Sequence, residues 1–478
     1  MKTNYKSTGS ILLAMLCMVL FSCKKSFLEV TPKGKLIAQK VADYDLLLNN
    51  LLIISASAQV PMGDEVAAIE PYFSGANMKT QRLFRWDEVI YEPDEDAAET
   101  LVPLQHIYLF NKIINEVPAA TDGTAQQKLS IQAEALAGRA WTYFLLINYF
   151  AKPYDANTAG SDPGFPILTK ADVTGTSFTR ASVKEVYDFI VSDLLKAIPN
   201  LPAKTTYRVR MSKAGAEGLL GKVYLFMGKS NEALPLLNTA ITDISSAAIP
   251  LGLYDYNVTF AAGGEFLPIG LFGPAYPYGP NIKESVFGKQ SYNTWTFNTS
   301  EIVISKKTAD LFDPSDLRLK FYSPAAYFGP AYPAGLLRKM GPSNLQFGVT
   351  VPDLYLLRAE CRARMNDLAG AKADVETLRA KRIPPASYAV PSAVASQQLP
   401  LLKFIIEERI REFAVAGYRW FDMRRLSVDP LFSGITFTHT LYAASGSVVN
   451  TFTLKPQRFV LRFPQKVMDE NPGMQNNP

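Results

Sequence analysis

Residues 212–245 read SKAGAEGLLGKVYLFMGKSNEALPLLNTAITDIS, and their spacing admits few folds. Leu220-Gly221 is followed by Tyr224, Gly228, Ala233, Leu237 and Ala240. Those intervals fit a helix–turn–helix repeat of about 34 residues. Gly221 and Ala233 let two helices approach closely, and Tyr224 fills the gap between them. Gly228 ends the first helix. Pro235 is expected early in the second, where a missing N–H costs least. One such pair cannot bury its apolar face alone, so the chain must supply others to stack on it.

It does. Residues 353–382, DLYLLRAECRARMNDLAGAKADVETLRAKR, repeat the pattern. Ala359 and Ala371 take its small positions, and Asn366 suits a left-handed helix end. Both pairs fit the tetratricopeptide pattern. Residues 131–150 and 182–198 look like half-repeats; Ser182 and Glu185 are spaced as a capping box, and Pro199 and Pro202 close that stretch. A further helix is predicted over 401–416, with Leu402, Ile406, Ile410, Phe413 and Gly417 on one stripe. Residues 427–463 alternate apolar and polar in places, as in GITFTH and RFVLRF, which predicts a small β element. Residues 251–350 are rich in Gly, Pro and aromatics, as in LFGPAYPYGPN, SYNTWTF and YFGPAYPAG. Loops, short strands and the functional surface are expected there. The expected fold class is mainly α with little β.

The N-terminus reads as a processing signal. Lys2 and Lys6 precede the unbroken apolar run Ile11–Phe21, and Leu20-Phe21-Ser22 leads into Cys23. Eleven helical residues span about 16 Å, against ~30 Å of bilayer hydrocarbon. The stretch is therefore read as a secretory signal rather than a membrane span. A large apolar residue, then a small one directly before cysteine, predicts cleavage at 22/23 and lipidation of Cys23. Of the three cysteines, Cys17 leaves with the signal and Cys361 has nothing to pair with, so the fold must rely on its core. Residues 24–40, with Pro32 and Gly34, read as an extended tether. Loss of Lys2 and Lys6 lowers the formal charge from +5 by two, too mild a balance for nucleic acid.

Several stretches, taken in order, resemble the SusD/RagB family of Bacteroidetes outer-membrane lipoproteins. They are Cys23 with Phe27-Leu28, RAWTYFLLINYFAKPY at 139–154, VYDFIVSDLLKAIPNLP at 186–202, SKAGAEGLLGKVYLFMG at 212–228, DLYLLRAECRARMND at 353–367, EERIREFAVAGYRWFDMRRL at 407–426 and NPGMQNNP at 471–478. The departures are Ala416, where the family usually has an acid, and Arg462-Phe463-Pro464, where it usually has Ile-Pro. The resemblance implies a SusD-like fold with about four tetratricopeptide-like pairs and an irregular subdomain. It implies placement on the outer membrane, facing the exterior, and a SusC-like TonB-dependent transporter as partner, over which the protein acts as a lid. The implied ligand is a glycan or oligosaccharide, with peptides as the alternative within the family. The segments expected are a signal (1–22), a lipidated tether (23–40), an N-terminal helical region (41–250), a loop-rich ligand-facing region (251–350) and a C-terminal region (351–478).

Catalysis has little support in the residues. The only histidines are His106 and His439, and no Cys/His spacing suits zinc. The acidic run EPDEDAAE at 92–99 lacks the glycine of a calcium loop and reads as solvated. No G-x-S-x-G elbow or phosphate-binding loop occurs. The charges of 407–426 read as a structural helix network. No cofactor, metal or catalytic residue is expected. A sugar site needs flat aromatics beside hydrogen-bonding groups. Trp295 with Tyr292 and Asn293, then Tyr276, Tyr278 and Tyr327, are the candidates. The resemblance adds Asp64, in an early loop. The competing classes are a tetratricopeptide scaffold without small ligand and a surface glycosidase.

Overall fold

The computed structural model describes residues 38–174, 178–277, 279–292 and 299–478. Cys23, most of the tether, Tyr278, Asn293 and Trp295 lie outside them. The longer helices are α1 (Val41–Leu48), α2 (Met78–Arg85), α3 (Ala98–Glu116), α4 (Ala125–Phe150), α5 (Val183–Ala197), α6 (Lys213–Phe226), α7 (Ser230–Asp243), α8 (Val351–Arg364), α9 (Leu368–Arg379), α10 (Gln398–Phe413) and α11 (Tyr418–Ser427). Packing runs α3 on α4, α4 on α5, α6 on α7 and α8 on α9, while α8 also meets α7 and α10. The fold is mainly helical and tetratricopeptide-like, as expected, and the two half-repeats prove to be partners of each other.

The local chemistry is legible. Gly221 is required by contact: a Cβ there would lie 2.7 Å from Leu237 Cγ. Gly228 ends α6 at φ +74°, and Asn366 ends α8 at φ 64°. The Ser182 hydroxyl accepts from Glu185 N while the Glu185 carboxylate accepts from Ser182 N, closing the predicted box.

Four local readings need correction. Pro235 lies inside α7, beyond its first turn. The helix read over 401–416 ends at Phe413, and Val415 (φ 58°) and Gly417 (φ 81°) swing the chain into α11. Gly417 is therefore a turn residue rather than part of the stripe. The acidic run 92–99 is not wholly solvated. Its end starts α3, and Glu99 is buried, 2.9 Å from Lys79 Nζ. RFVLRF forms no strand. Leu461 N donates to Tyr149 O, at the end of α4, and Arg424 donates to Phe459 O, so the groups a β ladder would use are taken.

The strands are short. They are β1 (Val66–Ile69), β2 (Ser285–Phe287), β3 (Gln290–Tyr292), β4 (Ile302–Ile304), β5 (Tyr322–Ser323), β6 (Arg338–Lys339), β7 (Asn344–Gln346), β8 (Val349–Thr350), β9 (Thr438–Tyr442) and β10 (Val448–Thr453). One sheet runs β10-β9-β1-β4, with β1 antiparallel to β4 and parallel to β9. It draws strands from early, middle and late sequence; β1 and β4 are buried throughout, while β10 is largely exposed. The ladders β2–β8, β3–β7 and β5–β6 brace the long insertion between α7 and α8. That insertion is loop-rich, as predicted.

Candidate functional site

The charged motif 407–426 is consumed by the fold. Arg409 Nη1 lies 2.7 Å from Asp353 Oδ1, and its Nε lies 2.8 Å from Asp422 Oδ2. Arg425 Nη2 donates to Glu360 Oε2 at 2.7 Å. Glu408 meets Arg379, Arg411 and Arg318 at 2.7, 2.9 and 2.8 Å. Burial opposes the charge on Glu408, but Arg318, Arg411 and Arg379 outweigh it and draw its pKa down to about 2. These groups fasten α8, α9, α10 and α11 together, and each is buried.

Asp64 also faces inward. It pairs with Arg419, whose Nη2 lies 3.2 Å from Asp64 Oδ2. Its neighbour Glu65 is fully buried. Desolvation and the nearby Asp64 charge push Glu65 up to about 8, and its Oε2 has no hydrogen-bond partner. Trp86 stacks on His439 at 3.9 Å, and His439 also stacks on Phe84 at 4.3 Å.

The remaining candidates fall at separate places in the insertion. Tyr292 ends β3 opposite Asn344 of β7 and is 59% exposed. Tyr276 packs among Tyr254, Phe266 and Phe321, with ring centroids 5.6, 5.0 and 5.7 Å away. It borders a cavity of about 110 Å³. Tyr327 stands at the tip of the turn between β5 and β6, beside two aromatics that the sequence reading passed over.

Those two are Phe272 and Phe328. Phe328 is 80% exposed at φ 50°, and its ring centroid lies 4.5 Å from that of Tyr327. Phe272, 53% exposed, lies 6.1 Å from Tyr327 with ring planes 30° apart. The Arg338 guanidinium sits 5.7 Å from the Tyr327 centroid. Tyr327 N donates to Ser300 Oγ at 3.0 Å, and Tyr332 OH donates to Ser300 O at 3.0 Å. The bridges Ala325–Ala331 and Gly270–Gly273 close the two loops that present the rings. The result is an exposed aromatic platform on a braced turn. Large apolar side chains grouped in solvent mark an interaction site. The signal was present in LFG and YFGP, where phenylalanines stand in Gly/Pro loops with no core to fill.

Rings at these tilts offer faces to the apolar side of a sugar or to another flat group. Among the described residues no group of three or more His, Cys, Asp or Glu could hold a metal, and no helix is long and apolar enough to cross a membrane.

Two family models match the sequence. One, described as starch-binding associating with outer membrane, matches residues 26–225. The other, described as the SusD family, matches residues 351–478. No protein of curated function matches. Solved structures do. A SusD superfamily protein from Bacteroides thetaiotaomicron aligns with TM-score 0.71 at 19% identity, covering 92% of this chain and 100% of that one. One from Bacteroides fragilis gives 0.71 at 18%, covering 92% and 100%. A SusD-like carbohydrate binding protein from Bacteroides vulgatus gives 0.65 at 16%, covering 91% and 98%. At such identities the likeness concerns the fold.

Proposed function

The chain belongs to the SusD/RagB family, and from that premise we propose that it is a lipid-anchored surface protein that binds a glycan. It hands the glycan to a SusC-like TonB-dependent outer-membrane transporter, acting as its lid and without catalysis. The platform of Phe272, Tyr327 and Phe328 carries this reading. It joins aromatic faces to polar neighbours, on loops held by a rigid helical body. The family model described as associating with the outer membrane supports the location. The lipobox-like run before Cys23 supports the anchor. One structural relative is described as carbohydrate binding, which supports the ligand class. The charged side chains of the 407–426 motif are tied in buried ion pairs, which supports a structural rather than a catalytic role for them.

The test is binding of the chain from Lys24 onward to a panel of polysaccharides, oligosaccharides and peptides. Phe272→Ala, Tyr327→Ala and Trp295→Ala variants run beside it. Stacking against one ring contributes about 1 kcal/mol, so each platform variant is expected to weaken glycan binding about five- to tenfold. Unchanged binding in both platform variants would remove the platform from the reading. Binding of peptides only would move the protein to the oligopeptide side of the family. No binding, with co-purification of envelope proteins other than a β-barrel, would favour the scaffold.

A further inference from the structure

Beside the platform lies a partly open pocket whose mainly apolar wall carries several polar side chains. Three tyrosines line it: Tyr256, Tyr276 and Tyr322. Tyr256 and Tyr322 are nearly inaccessible, and Tyr276 stands half-buried at its edge. Among the described residues, none hydrogen-bonds any of the three hydroxyls. The Gln346 side-chain oxygen, also in the wall, is buried without a partner. A buried polar atom is almost always paired, so the unpaired Gln346 oxygen, with three solvent-reachable phenols in the same wall, points to something that occupies the space.

Most of the charges there are already matched. Arg382 Nη2 lies 2.7 Å from Glu284 and 2.8 Å from Glu412. Arg318 Nη1 lies 3.0 Å from Glu412, and Lys339 Nζ donates to Ala414 O at 2.6 Å. An anionic occupant would find one wall cation without a carboxylate partner among the described residues, Lys339, already held by a backbone carbonyl. A neutral one, rich in hydroxyls, could give to and accept from the phenols and the amide oxygen. Size narrows the class further. A cavity of about 150 Å³ holds benzene, so about 110 Å³ admits roughly half a dozen non-hydrogen atoms. That suits a triol, or the hydroxymethyl arm and adjoining hydroxyl of a sugar, and excludes a whole glycan segment.

The cavity and the platform share their walls. Segment 272–276 carries Phe272 and Tyr276; segment 338–342 carries Arg338, Lys339 and Pro342. The two segments touch: a Cβ at Gly341 would lie 3.0 Å from Phe272 O, and one at Gly273 would lie 3.2 Å from Met340 Cβ. We propose that this cavity is an end subsite, which takes the neutral, hydroxyl-bearing end of a glycan whose length lies over the aromatic platform. The inference rests on the glycan-binding reading and deepens it from a class of ligand to the recognition of a chain end.

Glycerol is the probe, because it matches the volume and needs no knowledge of the glycan. Ligand-observed NMR of the chain from Lys24 onward should give a saturable glycerol signal. A Tyr276→Phe/Tyr322→Phe variant, which keeps the packing and loses two hydroxyls, should weaken it about tenfold. A crystal soaked in glycerol guards against a variant that fails to fold, and should show the triol against the phenols. Ordered water alone in that crystal, with no saturable glycerol signal, overturns the proposal. Equal glycerol binding by wild type and a folded variant overturns it too. Glycan binding that persists while glycerol never binds sinks the cavity and spares the platform. Saturable glycerol binding without any glycan binding keeps the pocket and sinks the wider reading.

Discussion

At the scale of single residues, the clearest case is a carboxyl buried in an unfavourable state. Glu65 has a folded pKa raised to about 8 by burial and by Asp64. Its unfolded value is about 4.3. A raised value means the folded state keeps its proton while the unfolded chain releases it. The stability this confers is complete below about pH 4.3 and is lost as pH rises through 8. Glu65→Gln, which stays neutral, is expected to stabilise the protein by about 2–4 kcal/mol at pH 8 and to change little at pH 4. Urea unfolding at both pH values measures this, and an equal effect at each would refute the assignment. Phe328 lies at the other extreme. It is 80% exposed, so Phe328→Ala is expected to leave the melting temperature within about 1 °C while weakening glycan binding. A large fall in melting temperature would show the ring to be part of the core.

At the scale of elements, small residues set how closely helices approach. Gly221 of α6 faces Leu237 and the Ala233 carbonyl of α7, 2.7 and 3.3 Å from where a Cβ would be. Gly221→Ala raises intrinsic helix propensity by about 1 kcal/mol, yet overpacks the pair at a cost of about 1–3 kcal/mol. Net destabilisation is expected by calorimetry; a stabilised variant would mean that α7 can shift. Gly417 lies between α10 and α11 at φ 81°, and a Cβ there would lie 2.6 Å from Ala58 Cβ. Strain and contact act together at that site, so Gly417→Ala should cost more than Gly221→Ala.

For the whole molecule, the fastening is ionic as well as apolar. Arg409 joins Asp353 on α8 to Asp422 on α11. Removing one partner of a buried network leaves charge without compensation. Arg409→Met is expected to cost about 3–5 kcal/mol, read from the denaturation midpoint. A neutral outcome would mean that Lys222 and Arg425, the other partners of Asp353 and Asp422, suffice. The same network sets the acid limit. Glu408, with its pKa at about 2, and Asp353, Glu360 and Asp422, also lowered, oppose the trend of Glu65. A lowered value confers stability present above the unfolded pKa and lost as pH falls through the folded one. Melting temperature should therefore drop steeply from about pH 4 towards pH 2.

The helices, their caps and the two repeats were readable in the sequence. So were the loop-rich insertion and a small β element in 427–463. Each depends on neighbours a few residues apart: a period of 3.6, a hydroxyl three residues before a glutamate, a glycine at a helix end. The inward turn of Asp64 towards Arg419 was not readable, nor was the taming of the 407–426 charges by Asp353, Glu360, Arg318 and Arg382. Partners far apart in sequence meet only when the helices stack. The platform lay between these cases. Its phenylalanines stood in plain view in Gly/Pro loops, but their grouping depends on how segments 270–273 and 325–332 are braced. The cavity is tertiary throughout. Tyr256, Tyr276 and Tyr322 come from three stretches, and only the packing around them decides that they line one pocket.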